Sequence, residues 1–404
     1  VDKNVDLDDV NDDYKKLEIS NSSIINDSKI RGTQADQVAI AQENNLVDKS
    51  AVTITNNGSI ELKGNNSTAI YAKNGTIVNT ANGTIKTTGN KSIGIFHSGA
   101  GNTATLKNEG NITVGDAGVA IYSKGGDINL TGGTITTGAK EAVGVFTVGT
   151  KQNITNTGTT FDLKDNSFGF VNTGNENTIT TENATTANLG KDSVYIYSED
   201  TKGTVVNKTN LTATGGKNYG IYSAGTITNT GNINFEAGTG NVGIYTIKGG
   251  NATNRGTISV GASDVAKESY GIGMAIGGDK NSNGGSITNA GTISVQDANS
   301  IGMYGSGKGV KVINESKISL NADSTTGIYL DNGAEGINKG TIETGKTGLS
   351  KVVGVYLGQD ATLNNQGSII INATDGVGVY LKGGKIKNYG IIRVTGTNSK
   401  NEYT

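Results

Sequence analysis

Residues Gly220–Tyr245 read GIYSAGTITNTGNINFEAGTGNVGIY, opening and closing on the same small–apolar–aromatic signature. Between the two signatures lies Asn229-Thr230-Gly231-Asn232-Ile233, a turn followed by the start of a strand. Both phrases recur along the chain. The signature appears as Ala69-Ile70-Tyr71, Gly94-Ile95-Phe96, Ala120-Ile121-Tyr122 and Gly144-Val145-Phe146, and Ala39-Ile40-Ala41 reads as an earlier, degenerate copy. It weakens at Gly169-Phe170-Val171 and Tyr195-Ile196-Tyr197, then returns at Gly220-Ile221-Tyr222 and Gly243-Ile244-Tyr245. Gly271-Ile272-Gly273 lacks the aromatic, and Gly302-Met303-Tyr304, Gly327-Ile328-Tyr329, Gly354-Val355-Tyr356 and Gly378-Val379-Tyr380 complete the series. The period averages about 25 residues, inside the range of stacked repeats.

The turn phrase keeps step, as in Asn254-Arg255-Gly256, Asn289-Ala290-Gly291, Asn338-Lys339-Gly340 and Asn388-Tyr389-Gly390. A further strand follows the aromatic, as in Thr226-Ile227-Thr228. Apolar residues fall at alternate positions (Ile93/Ile95, Val143/Val145, Val353/Val355), which is strand periodicity and not helical. Three short strands per repeat, separated by Gly/Asn corners, describe one coil of a β-helix. A single coil cannot hide its Ile and Val face, but coils laid on one another make a continuous apolar column. The expected fold is all-β, a parallel β-helix (solenoid) of about 14 coils of about 25 residues. At ~4.8 Å per coil it would form a monomeric rod roughly 65–70 Å long, without long helices.

Composition agrees. Only 33% of the 404 residues are hydrophobic, yet net charge is −2 and the apolar residues are β-branched, unlike a disordered chain. The balanced charge excludes a basic stripe for nucleic acid. With no Cys there are no disulfides or thiolate metal sites, and with no Pro against 62 Gly, the turns fall to Gly, Asn and Asp. The chain opens on Val1 and has no signal peptide or apolar span, so it reads as a piece excised from a longer secreted protein. Residues 1–18 form an acidic leader or linker, with Asp2, Asp6, Asp8, Asp9, Asp12, Asp13 and Glu18, and the repeat domain occupies 19–404. The leader lacks the Gly and closing Glu of a calcium-binding EF-hand loop, so no metal is expected there, nor any cofactor elsewhere.

Strand alternation with Ile93 and Ile95 inward places Gly94 and Phe96 outward, so the aromatics would form a ladder beside a glycine groove. Such a ladder suits sugar rings or protein partners; ring-on-ring stacking between coils accounts for it better, since a purely functional patch need not repeat in nearly every coil. The Asn of each turn tolerates left-handed backbone and can bond its counterpart one coil away. His97, the only histidine, reads as an exposed strand residue, and the chain's arginines, Arg31, Arg255 and Arg393, are scattered. No acid/base cluster of the kind glycoside cleavage needs is visible, so no catalytic residue is assigned. Recognition in a solenoid sits where loops interrupt it. Two such loops fall in the same slot of the repeat and carry Asp264, Lys267 and Glu268, and Lys346 and Lys351, three coils apart. A third, Gly277–Gly285, carries Asp279, Lys280 and Asn281. These eight residues, within about Gly256 to Lys351, are the candidate contact residues.

The phrases NTGNI, NRGTISV, NAGTISV, NKGTIET and NQGSIII, with their GIY partners, resemble the passenger repeats of large autotransporter adhesins, and most of all those of the fusobacterial-type outer-membrane autotransporters. The resemblance spans roughly Ile19 to Thr395. It implies a right-handed β-helix displayed at the cell surface, exported and anchored by a C-terminal outer-membrane β-barrel that lies outside this sequence. It also implies adhesion to host-cell proteins or glycans, or to other bacterial cells. Two other readings of a β-helix are a polysaccharide lyase or hydrolase, and the exoprotein of a two-partner secretion system.

Overall fold

In the coil around Asn229, the strands Tyr219–Ser223, Thr226–Asn229 and Ile233–Thr239 meet their counterparts in neighbouring coils, and the pairing is parallel in all three. The computed structural model describes residues 1, 3–9, 17–48, 51–99, 104–183, 185–277 and 284–403. Over these residues the chain is an all-β parallel solenoid of about 15 turns, with three sheets running along it. The only helical element among the described residues is the single 3-10 turn Val265–Lys267.

The chain divides into two units, Val1–Thr204 and Val205–Thr404. In the first, an aromatic sheet runs from Leu17–Ser20 to Val194–Ser198, an asparagine sheet from Ile24–Asn26 to Thr178–Thr181, and a third sheet from Val5–Asp6 to Thr186–Leu189. In the second, the same three sheets run from Tyr219–Ser223 to Lys400–Tyr403, from Thr226–Asn229 to Lys385–Asn388, and from Asn210–Ala213 to Ile391–Thr395. The ladders reach into the acidic N-terminal stretch, where Val5 pairs with Ile30 and Asp6 with Arg31. Register is held by identity of side chain. Ile60, Ile85 and Ile112 are successive register partners in the third sheet, and all are fully buried. Each such column removes apolar surface that a lone coil would leave wet.

Alternation fails at one point in coil after coil. In Ile93–Ser98, Gly94 and Ile95 both face inward, while Ile93 and Phe96 are half-exposed. The register runs Ile93↔Thr68 and Ile95↔Ile70, with the glycine between them at a bend. A Cβ on Gly94 would lie 2.5 Å from the Ala120 carbonyl oxygen and 3.0 Å from Ile112 Cγ2. The small residue of the signature is therefore an interior packing requirement. The expected outward glycine groove does not exist, because the bend shifts the alternation phase by one residue.

A second departure concerns the corner that leads into the aromatic sheet. It takes a left-handed residue, and Lys91 (φ 58°), Ala117 (51°), Glu141 (65°), Lys217 (59°) and Ser324 (57°) all occupy it. Gly, Asn and Asp were expected to supply such positions; they supply only part of them. The corner N–H bonds the carbonyl of an adjacent coil, Lys91 to Asp116 at 3.0 Å and Lys217 to Thr239 at 2.8 Å. A left-handed L-residue costs about 1 kcal/mol, and this bond holds it in place.

Candidate functional site

The repeat's most conspicuous side chains stabilise the stack. Asn26, Asn56, Asn79 and Asn108 form a chain in which each Nδ2 donates to the next Oδ1, at 2.8 Å throughout. In the second unit the chain runs through Asn207, Asn229, Asn254, Asn289, Asn314, Asn338, Asn365 and Asn388, at 2.7–3.1 Å. These side chains are fully buried except at the exposed Asn388. None of them has positive φ, so of the two reasons for Asn at this turn, hydrogen bonding is the one that operates.

The aromatics stack face to face along the outside of their sheet. Tyr71, Phe96, Tyr122 and Phe146 succeed one another at centroid spacings of 5.1–5.3 Å with planes within 18°. Tyr222 and Tyr245 repeat the arrangement at 5.1 Å, and Tyr304, Tyr329, Tyr356, Tyr380 and Tyr403 continue it at 4.3–5.6 Å. The stacks break where Val171 and Ala275 hold the aromatic position. Stacked rings present edges to solvent and spend their faces on each other. A sugar ring, which docks on a face, finds none free within a stack.

His97 is fully buried, which corrects the expectation of an exposed residue. The residue after the aromatic lies two positions beyond the inward Ile95, so alternation turns it inward, into the column of Ala72 and Ser123. Its Nε2 lies 3.1 Å from the Gly75 carbonyl, so that nitrogen carries the proton; Nδ1 has no partner. Burial pushes its pKa down to about 4. Among the described residues, no group of three or more His, Cys, Asp or Glu is placed to hold a metal ion.

Of the candidate contact residues, Asp264, Lys267 and Glu268 lie together at the tip of the loop that follows Thr257–Ala262. Lys267 Nζ meets Asp264 Oδ2 at 2.9 Å, and this cation holds the Asp264 carboxyl below the usual carboxylate range. Ser263 Oγ accepts from Gly271 N at 2.9 Å and lies 2.8 Å from Ser300 Oγ, fastening the loop base to the next coil. Lys351 (φ 56°) occupies the left-handed corner, its N–H bonding the Thr374 carbonyl of the adjacent coil at 2.8 Å, and so belongs to the regular frame. Glu268 (φ 51°) is the left-handed cap of the loop's own 3-10 turn, its N–H bonding the Val265 carbonyl. Asp279, Lys280 and Asn281 fall outside the described residues.

Lys346 lies elsewhere, on an excursion from the third sheet. Thr341–Thr344 pairs with the long strand Ser368–Thr374, the chain leaves the ladder at Gly345, and Leu349 and Ser350 rejoin it against Ala373 and Thr374. The excursion borders a groove of about 940 Å³ whose walls include Glu343, Lys346, Ile370, Asn372, Arg393 and Thr395. Arg393 was read as one of three scattered arginines. It is exposed in Ile391–Thr395 and is the register partner of Ile370 in the long strand Ser368–Thr374, a placement that single-sequence reading does not give.

A family model described as the BigA third pectate lyase-like domain matches residues 4–180 and 235–341. The chain belongs to this family. The match to a pectate lyase-like domain agrees with the parallel solenoid and takes in the Asp264–Glu268 loop, while the excursion and Arg393 lie beyond the matched residues. No curated protein and no solved structure matches the chain.

Proposed function

We propose that this pectate lyase-like domain is a section of a surface-displayed adhesin passenger, with its contact surface in the irregular stretch from Gly256 to Lys351. The observation that carries the reading is the division of labour among side chains. Asparagines bond coil to coil inside, aromatics stack coil to coil outside, and the irregular loops carry the charges a partner would meet, Lys346 on one and the Asp264–Lys267 ion pair on the other. Attachment to host-cell proteins or glycans, or to other bacterial cells, is the activity proposed. Export and anchoring through a C-terminal outer-membrane barrel belong to the same proposal. The test is to shorten Ala262–Lys267 and Gly345–Gly348 to the length of neighbouring coils and measure attachment to cells. We expect attachment to fall to a small fraction, with the circular dichroism spectrum unchanged; undiminished attachment by the folded double variant overturns the reading.

The family description favours one second reading, cleavage of an acidic polysaccharide. Release of unsaturated uronate from polygalacturonate would support it and displace the adhesin.

A further inference from the structure

We infer that the groove beside the Gly345 excursion binds the carboxylate of an acidic sugar. This rests on the reading of the irregular region as a contact surface and names the chemistry it recognises. Two cations line the groove, Lys346 on the excursion and Arg393 on the outer face of the sheet, and both are exposed. Neither is in an ion pair with a described residue. The acid of the groove, Glu343, is already matched, its Oε1 lying 2.6 Å from Lys317 Nζ of the preceding coil. The groove therefore offers net positive charge to an anion.

The remaining walls select a sugar over a bare ion. Asn372 and Thr395 present an amide and a hydroxyl beside the two cations, partners for ring hydroxyls, and Ile370 gives a small apolar floor for the C–H face of a ring. A guanidinium takes a carboxylate with two parallel hydrogen bonds, and the ammonium of Lys346 adds a mobile point charge. The groove, about 940 Å³, spans three coils and is open to solvent, so sugar units reach both cations. A terminal sialic acid and a uronate unit share this carboxylate chemistry.

The test is a titration of the whole 404-residue chain with sialyllactose, digalacturonate and lactose, followed by calorimetry and NMR. One or both acids are expected to bind, the tighter identifying the source, with lactose inert and affinity falling as salt rises. Arg393→Gln and Lys346→Gln should each weaken binding about tenfold or more, the loss of one charge-assisted hydrogen bond. Lys86→Gln, on an exposed face of the first unit, should change nothing. Equal binding of lactose, no saturable binding of either acid at millimolar concentration, or indifference to Arg393→Gln overturns the assignment. Attachment to cells without acid binding overturns the sugar and leaves the contact reading standing. Arg393-dependent acid binding without attachment does the reverse.

Discussion

At position 97, a buried column that holds Ala72 on one side and Ser123 on the other takes a histidine. The ring is neutral in the folded chain, because burial opposes the charged form and holds the pKa at about 4 against an ordinary 6.5. The consequence for stability has a definite sign. Between pH 6.5 and about 4 the unfolded chain binds a proton that the folded chain refuses, so stability is full above this window and falls as pH drops through it. At about 1.4 kcal/mol per pH unit the loss amounts to roughly 3 kcal/mol. His97→Ser, which matches the next residue in the column, should flatten the pH dependence of the denaturation midpoint across this window. Carboxylates titrating near pH 4 act on both proteins alike, so the difference between them reports the histidine. Equal slopes in the two proteins would show that His97 titrates at its ordinary value. His97 also shows how far alternation carries a reading. Ile95 inward and Phe96 outward follow from it, and so does His97 inward, two residues beyond Ile95, although its polar ring suggests the surface. Ile93 and Gly94 come out on the wrong side, because strand periodicity has no way to mark a bend whose cause is the carbonyl of the next coil.

At the scale of the strand, the repeat tolerates exceptions when a neighbouring strand compensates. Tyr195 stands at the inward small position that Gly94, Gly144 and Gly220 fill elsewhere, and it is fully buried. The same coil carries Ala187 at the third-sheet position held by Ile85 or Ile112 in other coils, which leaves room for a large ring. Tyr195 then packs edge-on against Phe161, at 5.7 Å, and Phe170, at 5.5 Å. Tyr195→Gly empties that space and should cost about 3–5 kcal/mol, and Ala187→Ile alone should overpack it by about 1–3 kcal/mol. Combined, they restore the ordinary coil and should recover most of the loss, a coupling that a double-mutant cycle in urea measures directly. Additive losses would show that the two residues do not share one space. In the sequence this coil registers only as a weakened signature, since a large residue in a small slot cannot be told from decay of the repeat until its partner strand is known. Where the exchange is repeated the reading is secure: Asn-x-Gly, recurring in most coils, gave both the turn and the ladder of amides. The groove stayed hidden for the opposite reason. Lys346 and Arg393 belong to different coils, and only the register of Ser368–Thr374 between them brings both to one face.

For the molecule as a whole, the question is how far a local loss travels. Asn314 sits within the asparagine chain of the second unit, accepting from Asn289 at 3.0 Å and donating to Asn338 at 2.9 Å. Asn314→Ala takes its donor from the buried Asn338 Oδ1, at about 1–3 kcal/mol, and one of two acceptors from Asn289 Nδ2, which keeps the Lys317 carbonyl at 3.1 Å. A globular core would spread that loss over every amide. A solenoid coil touches only its neighbours, so its stability is a sum of coil terms and nearest-neighbour terms, and a defect raises local opening first. Hydrogen exchange read by mass spectrometry should therefore quicken in peptides covering Gly285–Asn289, Val310–Asn314 and Glu335–Asn338. Peptides covering Thr53–Asn56 and Thr76–Asn79, in the first unit, should keep their wild-type rates. The control is Asn388→Ala, whose exposed amide ends the chain and whose loss should move little beyond Asn365. Uniform quickening across both units would mean that the stack opens as a single cooperative body, and that coil-by-coil addition does not describe this protein.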